Sequence, residues 1–260
     1  MSVGVHAATI MVEVPAGDAA VPRLELSEWA ARYGIVAGIT TRAGGYSLGL
    51  WSEESAGQVM TRWRAFRRAF ESGFPTVVMS HQVHGTDIKW HANLSPGWTI
   101  LDGVDGHATR DRGVLLAITV ADCIPVYLVA PERGIVALLH AGWRGVAGGI
   151  LERALGDLTA ATGATCRDFV MHCGVGICGN CYEVGYEVSE RVTGRPPSTS
   201  PTFVDLRGLL AGRGAALGLA NVSISAFCTA HHNEQFYSHR ASHGRDGRML
   251  AYLGIPLAAP

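Results

Sequence analysis

The stretch Val114-Leu115-Leu116-Ala117-Ile118-Thr119-Val120, then Ala121-Asp122-Cys123, then Ile124-Pro125-Val126-Tyr127-Leu128-Val129, decides how this chain is read. Both runs are apolar at nearly every position, and both are too short to cross a membrane as a helix. Hydrophobicity that is continuous rather than alternating marks strands covered on both faces. A third run of the same kind, Gly134-Ile135-Val136-Ala137-Leu138-Leu139-His140, follows closely. The reading is three buried central strands, with Ala121-Asp122-Cys123 as the break between the first two.

Working outward, Gly142-Trp143-Arg144-Gly145 follows the third strand, and residues 146–158 have helical periodicity. Residues 169–173 read as a strand, 182–191 as a helix, 206–217 as another helix and 222–226 as a strand. Asp205 suits the N-cap of the 206–217 helix and Gly218 its C-terminal end, although Gly208, Gly212 and Gly214 weaken its interior. Toward the N-terminus, residues 75–80 form a strand that delivers Gln82-Val83-His84-Gly85. A helix over 54–71 precedes it, and before that a strand over 35–40 runs into the turn Thr41-Arg42-Ala43-Gly44-Gly45. Residues 10–14 suggest a strand and 26–32 a short helix. No internal repeat or linker divides the chain, so residues 1–260 read as one mixed α+β domain.

Composition narrows the class of function. The chain has 260 residues, 48% hydrophobic and 17% charged, with a formal net charge of −1. That excludes a disordered or coiled-coil protein, and no global field favours nucleic acid or a membrane surface. No run spans a membrane and no signal peptide is evident, so the expectation is a cytoplasmic protein with reduced thiols. A monomer is expected because no amphipathic helix is left over. Lys89 is the sole lysine; the other twenty (21 − 1) basic residues are arginine, and each is a candidate for bidentate anion binding.

Three residues share one structural address. His84 lies in a Gly-flanked turn after a strand, Cys123 in the break between strands, and His140 at the end of the next strand. One Cys and two His are a natural zinc set with an open position, and sulfur also permits copper. The separations of 39 (123 − 84) and 17 (140 − 123) match no zinc-finger spacing. On the residues alone the plainer reading, a turn histidine, a buried thiol and a hydrogen-bonded core histidine, is the favoured one. The residues also allow a metal-free pair in which Cys123 is nucleophile and His140 base, with Asp122 as a conceivable orienting group.

Arg144 and Gly145 stand before the 146–158 helix, where N–H groups and a guanidinium together make an anion site. A salt bridge from Arg144, with the glycines serving only tight packing, is the plainer reading. Arg42 and Arg240 are further candidates. Cys173, Cys178 and Cys181 make a C-x₄-C-x₂-C run with Cys228 at a distance, the plant-type iron–sulfur spacing. Because Cys181 runs directly into an expected helix, local or buried thiols are the preferred reading.

Taken together, Thr41-Arg42-Ala43-Gly44-Gly45, Gln82-Val83-His84-Gly85, Asp105-Gly106, Ala121-Asp122-Cys123-Ile124-Pro125-Val126, His140-Ala141-Gly142-Trp143-Arg144-Gly145, Tyr182-Glu183-Val184, Cys228-Thr229 and Gly247-Arg248-Met249 resemble the laccase-domain family. This family is also called multicopper polyphenol oxidase-like or purine nucleoside phosphorylase-type, and the likeness runs over roughly residues 34–255. The resemblance implies a layered α/β/β/α domain with mixed sheets, related to the deamidating domain of necrotising toxins. It implies a zinc site from His84, Cys123 and His140. It also implies phosphorolysis of adenosine, inosine or methylthioadenosine and deamination of adenosine, with copper-dependent phenol oxidation as an older label. Correction of peptidoglycan precursors is attached to bacterial members. Two departures stand out: the family has Gly-Pro ahead of the Tyr182-Glu183-Val184 segment, where this chain reads Cys173-Gly174-Val175-Gly176-Ile177-Cys178-Gly179-Asn180-Cys181, and its C-terminal arginine pair is here Arg240-Ala241.

The expected function is therefore a zinc-dependent purine nucleoside enzyme. Cys123, His84, His140 and Arg144 would be catalytic, and Arg42, Arg144, Gly145 and Arg240 would hold substrate or phosphate. Copper-dependent polyphenol oxidation is the alternative, although the sequence contains no His-x-His pair. A metal-free Cys/His hydrolase and a non-catalytic nucleoside sensor follow behind.

Overall fold

A computed structural model of the chain describes residues 8–16, 20–50, 54–198 and 200–258. Its first part carries β1 (Thr9–Met11), β2 (Val14–Pro15), β3 (Arg23–Glu25), α1 (Ser27–Tyr33), β4 (Val36–Thr40) and α2 (Ala56–Phe70). Then come β5 (Thr76–His81), β6 (Ile88–His91), β7 (Gly97–Asp102), β8 (Gly106–Thr109), β9 (Val114–Val120), β10 (Ile124–Ala130) and β11 (Ile135–Ala141). The remainder carries α3 (Trp143–Ala147), α4 (Ile150–Thr162), β12 (Val170–Cys173), β13 (Glu183–Val184), α5 (Tyr186–Thr193), β14 (Thr202–Phe203), α6 (Leu206–Ala216), β15 (Asn221–Ser225) and β16 (Met249–Gly254).

Two seven-stranded mixed sheets carry the fold. The first has the order β1-β15-β12-β10-β11-β8-β6 and the second β2-β3-β4-β16-β9-β5-β7. The three apolar runs are strands, as expected, but they do not share a sheet. β9 belongs to the second sheet while β10 and β11 pair antiparallel in the first. The chain therefore crosses between sheets at Ala121-Asp122-Cys123, which places Cys123 at the seam of the two layers.

The continuous apolar runs follow from this arrangement. Ile118 and Val120 of β9 pack with Val129, Val136 and Leu138 between the sheets. The opposite face of β9, Leu115 and Ala117, packs against Val59, Trp63, Phe66 and Phe70, the helically spaced apolar stripe of α2. On the far side of the first sheet, Val126, Leu128 and Leu139 meet Leu151, Leu155 and Leu210 from α4 and α6. The result is four layers, helix, sheet, sheet, helix, in one α+β unit. Among the described residues no helix is long and apolar enough to cross a membrane.

Several local expectations need correction. The 146–158 helix is two helices, α3 and α4, because Gly148-Gly149 breaks it and Gly149 adopts a left-handed φ of +79°. Residues 182–191 are not one helix: β13 pairs antiparallel with β14, and α5 begins only at Tyr186. The 10–14 strand is split, β1 joining the first sheet and β2 the second, around a buried Glu13 that meets His172 Nε2 at 3.1 Å and accepts from Ser225 Oγ at 2.8 Å. Asp205 stands at the N-cap position of α6, but its side chain makes no cap hydrogen bond.

Candidate metal centre

The Gln82-Val83-His84-Gly85 turn is fixed at both ends. Gln82 Nε2 donates to the Thr119 carbonyl at 2.9 Å, and Gln82 Oε1 accepts from Thr119 N–H at 2.8 Å, which ties the turn to the end of β9. The buried Asp105 carboxylate accepts backbone N–H bonds from Val83 (3.1 Å), His84 (2.9 Å) and Gly85 (2.7 Å). His84 adopts a left-handed φ of 60°, an uncommon state for a side-chain-bearing residue that these bonds over-determine.

The same carboxylate orients a second histidine. Asp105 Oδ1 lies 2.8 Å from His140 Nδ1, so that nitrogen carries the proton and Nε2 is the free one. The His84 and His140 rings stand edge to face with centroids 4.7 Å apart. Cys123 completes the group: one donor atom from each of His84, Cys123 and His140 lies within 4.8 Å of the others. Gly142 makes this approach possible, because a Cβ there would stand 2.9 Å from His84 Cδ2 and 3.0 Å from Cys123 Sγ.

The electrostatics follow from this geometry. Burial by itself would raise the Cys123 thiol, but the charges and hydrogen bonds of His140 and His84 bring it down to about 6. Burial would lower His140, yet the Cys123 thiolate and Asp105 carry it up to about 9. Burial would likewise raise Asp105, whereas hydrogen bonds from His140, Gly85 and Val83 hold it below the ordinary carboxylate value. Without metal the pocket thus favours a thiolate–imidazolium pair. Two imidazoles and a thiolate, one imidazole already oriented by a carboxylate, also fit a borderline metal with an open position.

That open side faces a cavity of about 560 Å³. Arg144 lines it, its guanidinium 4.4 Å from the centre of the Trp143 ring, and among the described residues no carboxylate pairs with it. Arg240 lines it too, donating to the Glu183 carbonyl at 2.5 Å with its guanidinium 5.2 Å from the Tyr182 ring centre. Two other candidates stand elsewhere. Gly145 is buried where a Cβ would meet the Gly85 carbonyl at 3.0 Å, so its glycine serves close packing. α3 offers five residues of dipole rather than a long helix. Arg42 is not among the lining residues; it donates to the Asn233 carbonyl at 2.7 Å and meets Asp246 at 3.5 Å. Asp122 orients no base, for its carboxylate accepts from Thr229 Oγ1 at 2.5 Å and from Arg240 N–H at 2.6 Å.

Sequence reasoning gave no role to Asp105, to Arg248, or to His81, whose Nδ1 meets Asp102 at 2.9 Å; the last two line the cavity. The signal for Asp105 was its place immediately before a strand, within the Asp105-Gly106 motif.

A four-layered α+β fold whose sheet seam carries Cys and His donors defines a recognisable class. A family model described as "Multi-copper polyphenol oxidoreductase laccase" matches residues 36–256, and the chain belongs to this laccase-domain family. "Purine nucleoside phosphorylase YlmD" of Geobacillus stearothermophilus is 33% identical over 247 residues, covering 85% of this chain and 90% of that protein. "Adenosine deaminase RL5", from an unknown prokaryotic organism, is 34% identical over 197 residues, covering 69% of this chain and 74% of that protein. The crystal structure of the Geobacillus YlmD superposes with a TM-score of 0.84 at 31% identity, over 93% of this chain and 98% of that one.

Proposed function

We propose that this protein is a zinc-dependent purine nucleoside enzyme, cleaving adenosine, inosine or methylthioadenosine with phosphate and deaminating adenosine. In this reading it is a cytoplasmic monomer acting on small molecules. The observation that carries the proposal is the convergence of His84, Cys123 and the Asp105-oriented His140 on one cavity that arginines also line. The names of these relatives, a purine nucleoside phosphorylase and an adenosine deaminase, support the purine nucleoside class.

His84, Cys123 and His140 would hold the metal. Zinc held there supplies Lewis acidity toward water or a substrate oxygen. The chain's own groups do the rest. Asp105 keeps the His140 proton on Nδ1 and so keeps Nε2 turned to the site. Arg144, with Arg240 and Arg248, neutralises phosphate on the cavity wall. Gly145 packs behind that wall, against the Gly85 and His140 carbonyls. In phosphorolysis a phosphate oxygen bonds to C1′ of the ribose while the C1′–N9 bond breaks, and its electron pair leaves with the purine. The purine then takes a proton, a role this reading gives to His81, which lines the cavity and is oriented by Asp102. In deamination water adds at C6 and ammonia leaves. A cavity of this volume suits a nucleoside-sized ligand.

The test incubates zinc-loaded protein with adenosine, with and without phosphate, and follows inosine, adenine and ribose 1-phosphate. Inosine in both arms, and adenine only with phosphate, is the expected result. The lowered Cys123 thiol beside His140 favours a second reading, a metal-free Cys/His hydrolase, which chelator-treated protein with undiminished turnover would support. Phenol oxidation appearing only with added copper, with adenosine inert, would favour the polyphenol oxidase reading instead.

A further inference from the structure

A second group of soft ligands lies outside the centre described above. Cys178 and Cys181 sit in the irregular loop that follows β12, and Cys228 and His231 sit in the turn that follows β15. One donor atom from each of these four residues lies within 4.8 Å of the other three. Cys178 Sγ is 3.5 Å from His231 Nδ1, and Cys181 Sγ is 3.3 Å from His231 Nε2. The imidazole therefore stands between two thiols, and being exposed it is free to turn either nitrogen inward.

The backbone is arranged around the sulfurs. Cys178 N–H donates to Cys228 Sγ at 3.2 Å, and the N–H groups of His231 and Ala230 are directed at the same sulfur. The Cys181 and Tyr182 N–H groups both close on the Cys178 carbonyl, at 3.0 and 3.1 Å, so Cys178 and Cys181 lie on one tight turn. Across the gap, Thr229 N–H donates to the Gly176 carbonyl at 3.2 Å, and Gly176 and Cys228 form an isolated bridge. All six cysteines are free thiols. The iron–sulfur arrangement suggested by the spacing does not form, because Cys173 is buried within β12 and is not a member of the group.

We propose that Cys178, Cys181, Cys228 and His231 form a second metal site that takes one zinc ion in a closed, four-ligand structural role. Three thiolates and one imidazole complete a tetrahedron and leave no position for substrate. Binding displaces the thiol protons to solvent, and the cation removes the repulsion that three neighbouring thiolates would otherwise suffer. The site clamps two loops that frame the cavity. Ile177 and Tyr182, which flank the Cys178–Cys181 turn, line the cavity, and Ile177 N–H donates to the Asp122 carbonyl at 2.9 Å. Thr229, next to Cys228, holds the Asp122 carboxylate. A zinc clamp here stiffens the segment that presents Cys123 without touching the reacting groups.

The test uses full-length protein in which His84→Ala and Cys123→Ala have removed the first donor set, so it stands whatever that centre does. This variant, reduced, stripped with chelator, reloaded with zinc and desalted, should retain one zinc per chain. Adding Cys181→Ser should abolish that zinc. In unmodified protein, zinc should shield Cys178, Cys181 and Cys228 from alkylation, as mapped by mass spectrometry, which keeps the proposal testable even where the serine variant folds poorly. Absence of retained zinc, alkylation of these three thiols unchanged by zinc, a Cys178–Cys181 disulfide in freshly isolated protein, or an acid-labile iron–sulfur chromophore would each overturn it.

Discussion

Asp105 Oδ1 lies 2.8 Å from His140 Nδ1, and the carboxylate that makes this contact also gathers the N–H groups of Val83, His84 and Gly85. One buried side chain thus sets the orientation of both histidines of the centre. Asp105→Asn turns one acceptor into a donor that faces those groups. Zinc affinity should fall roughly 10–100-fold, the usual effect of removing such a partner. Stability should fall by about 3 kcal/mol, since buried donors lose a charged acceptor. Competition with a chromophoric chelator and a denaturant titration measure the two losses.

Gly142 is the narrowest point of the site. In Gly142→Ala the added methyl would meet His84 Cδ2 at 2.9 Å and Cys123 Sγ at 3.0 Å. Overpacking of this kind costs about 1–3 kcal/mol. Metal binding should fail well before folding does, so zinc content should drop while the circular dichroism spectrum is retained.

Arg144 separates the two reactions. Phosphorolysis needs an anion bound and deamination does not, so Arg144→Ala should raise KM for phosphate about tenfold or more while adenosine deamination changes little. Equal losses in both reactions would place Arg144 in a general structural role.

His81 carries a proton only if its Asp102 contact orients it for the cavity. His81→Gln should lower kcat for phosphorolysis by roughly 10²-fold with zinc content unchanged. An unchanged kcat would assign proton transfer to another group.

Acid sensitivity should come from a different pair of histidines. Burial and the neighbouring Lys89 hold His91 down to about 4, while burial and His91 hold His107 down to about 3 against a weaker upward pull from Asp105. Ser80 Oγ donates to the Val104 carbonyl, so His107 Nε2 donates to Ser80 at 3.1 Å and His91 Nε2 donates to His107 Nδ1 at 3.1 Å. That chain requires a neutral His107, because its Nδ1 accepts from His91. Their folded values lie below the unfolded value of 6.5, so the stability they contribute is complete above pH 6.5 and is lost as pH falls toward 4. Each loss amounts to about 1.4 kcal/mol per pH unit. Melting temperature should hold level from pH 7.5 to 6.5 and fall from there to pH 5, and the double variant His91→Asn/His107→Asn should show a flatter profile.

Much of this was readable from residues because local patterns carry it. The apolar runs around Cys123 are strands, the 59, 63, 66, 70 stripe buries one face of α2, and His84, Cys123 and His140 come together at strand ends. Partnership was not readable. Periodicity says that β9 and β10 are buried but not that they lie in different sheets, and no local signal links Asp105 to a turn twenty residues earlier. Gly148-Gly149 did mark the break between α3 and α4, but apolar spacing on either side masked it. Tyr182-Glu183-Val184 was read as a helix start because its strand partner, Thr202–Phe203, is remote in sequence. The same expected helix turned the Cys178, Cys181 and Cys228 thiols into merely local ones, and no cysteine spacing supplies the fourth member, His231.

The central claim is that the His84, Cys123 and His140 centre turns over adenosine through its metal. The most direct test compares tightly bound zinc and adenosine turnover in the unmodified protein and in Cys123→Ala. The account expects the variant to hold one zinc fewer per chain and to lose turnover by at least 10²-fold. A variant that keeps its full zinc complement, or that loses the zinc and still converts adenosine at the original rate, would contradict it.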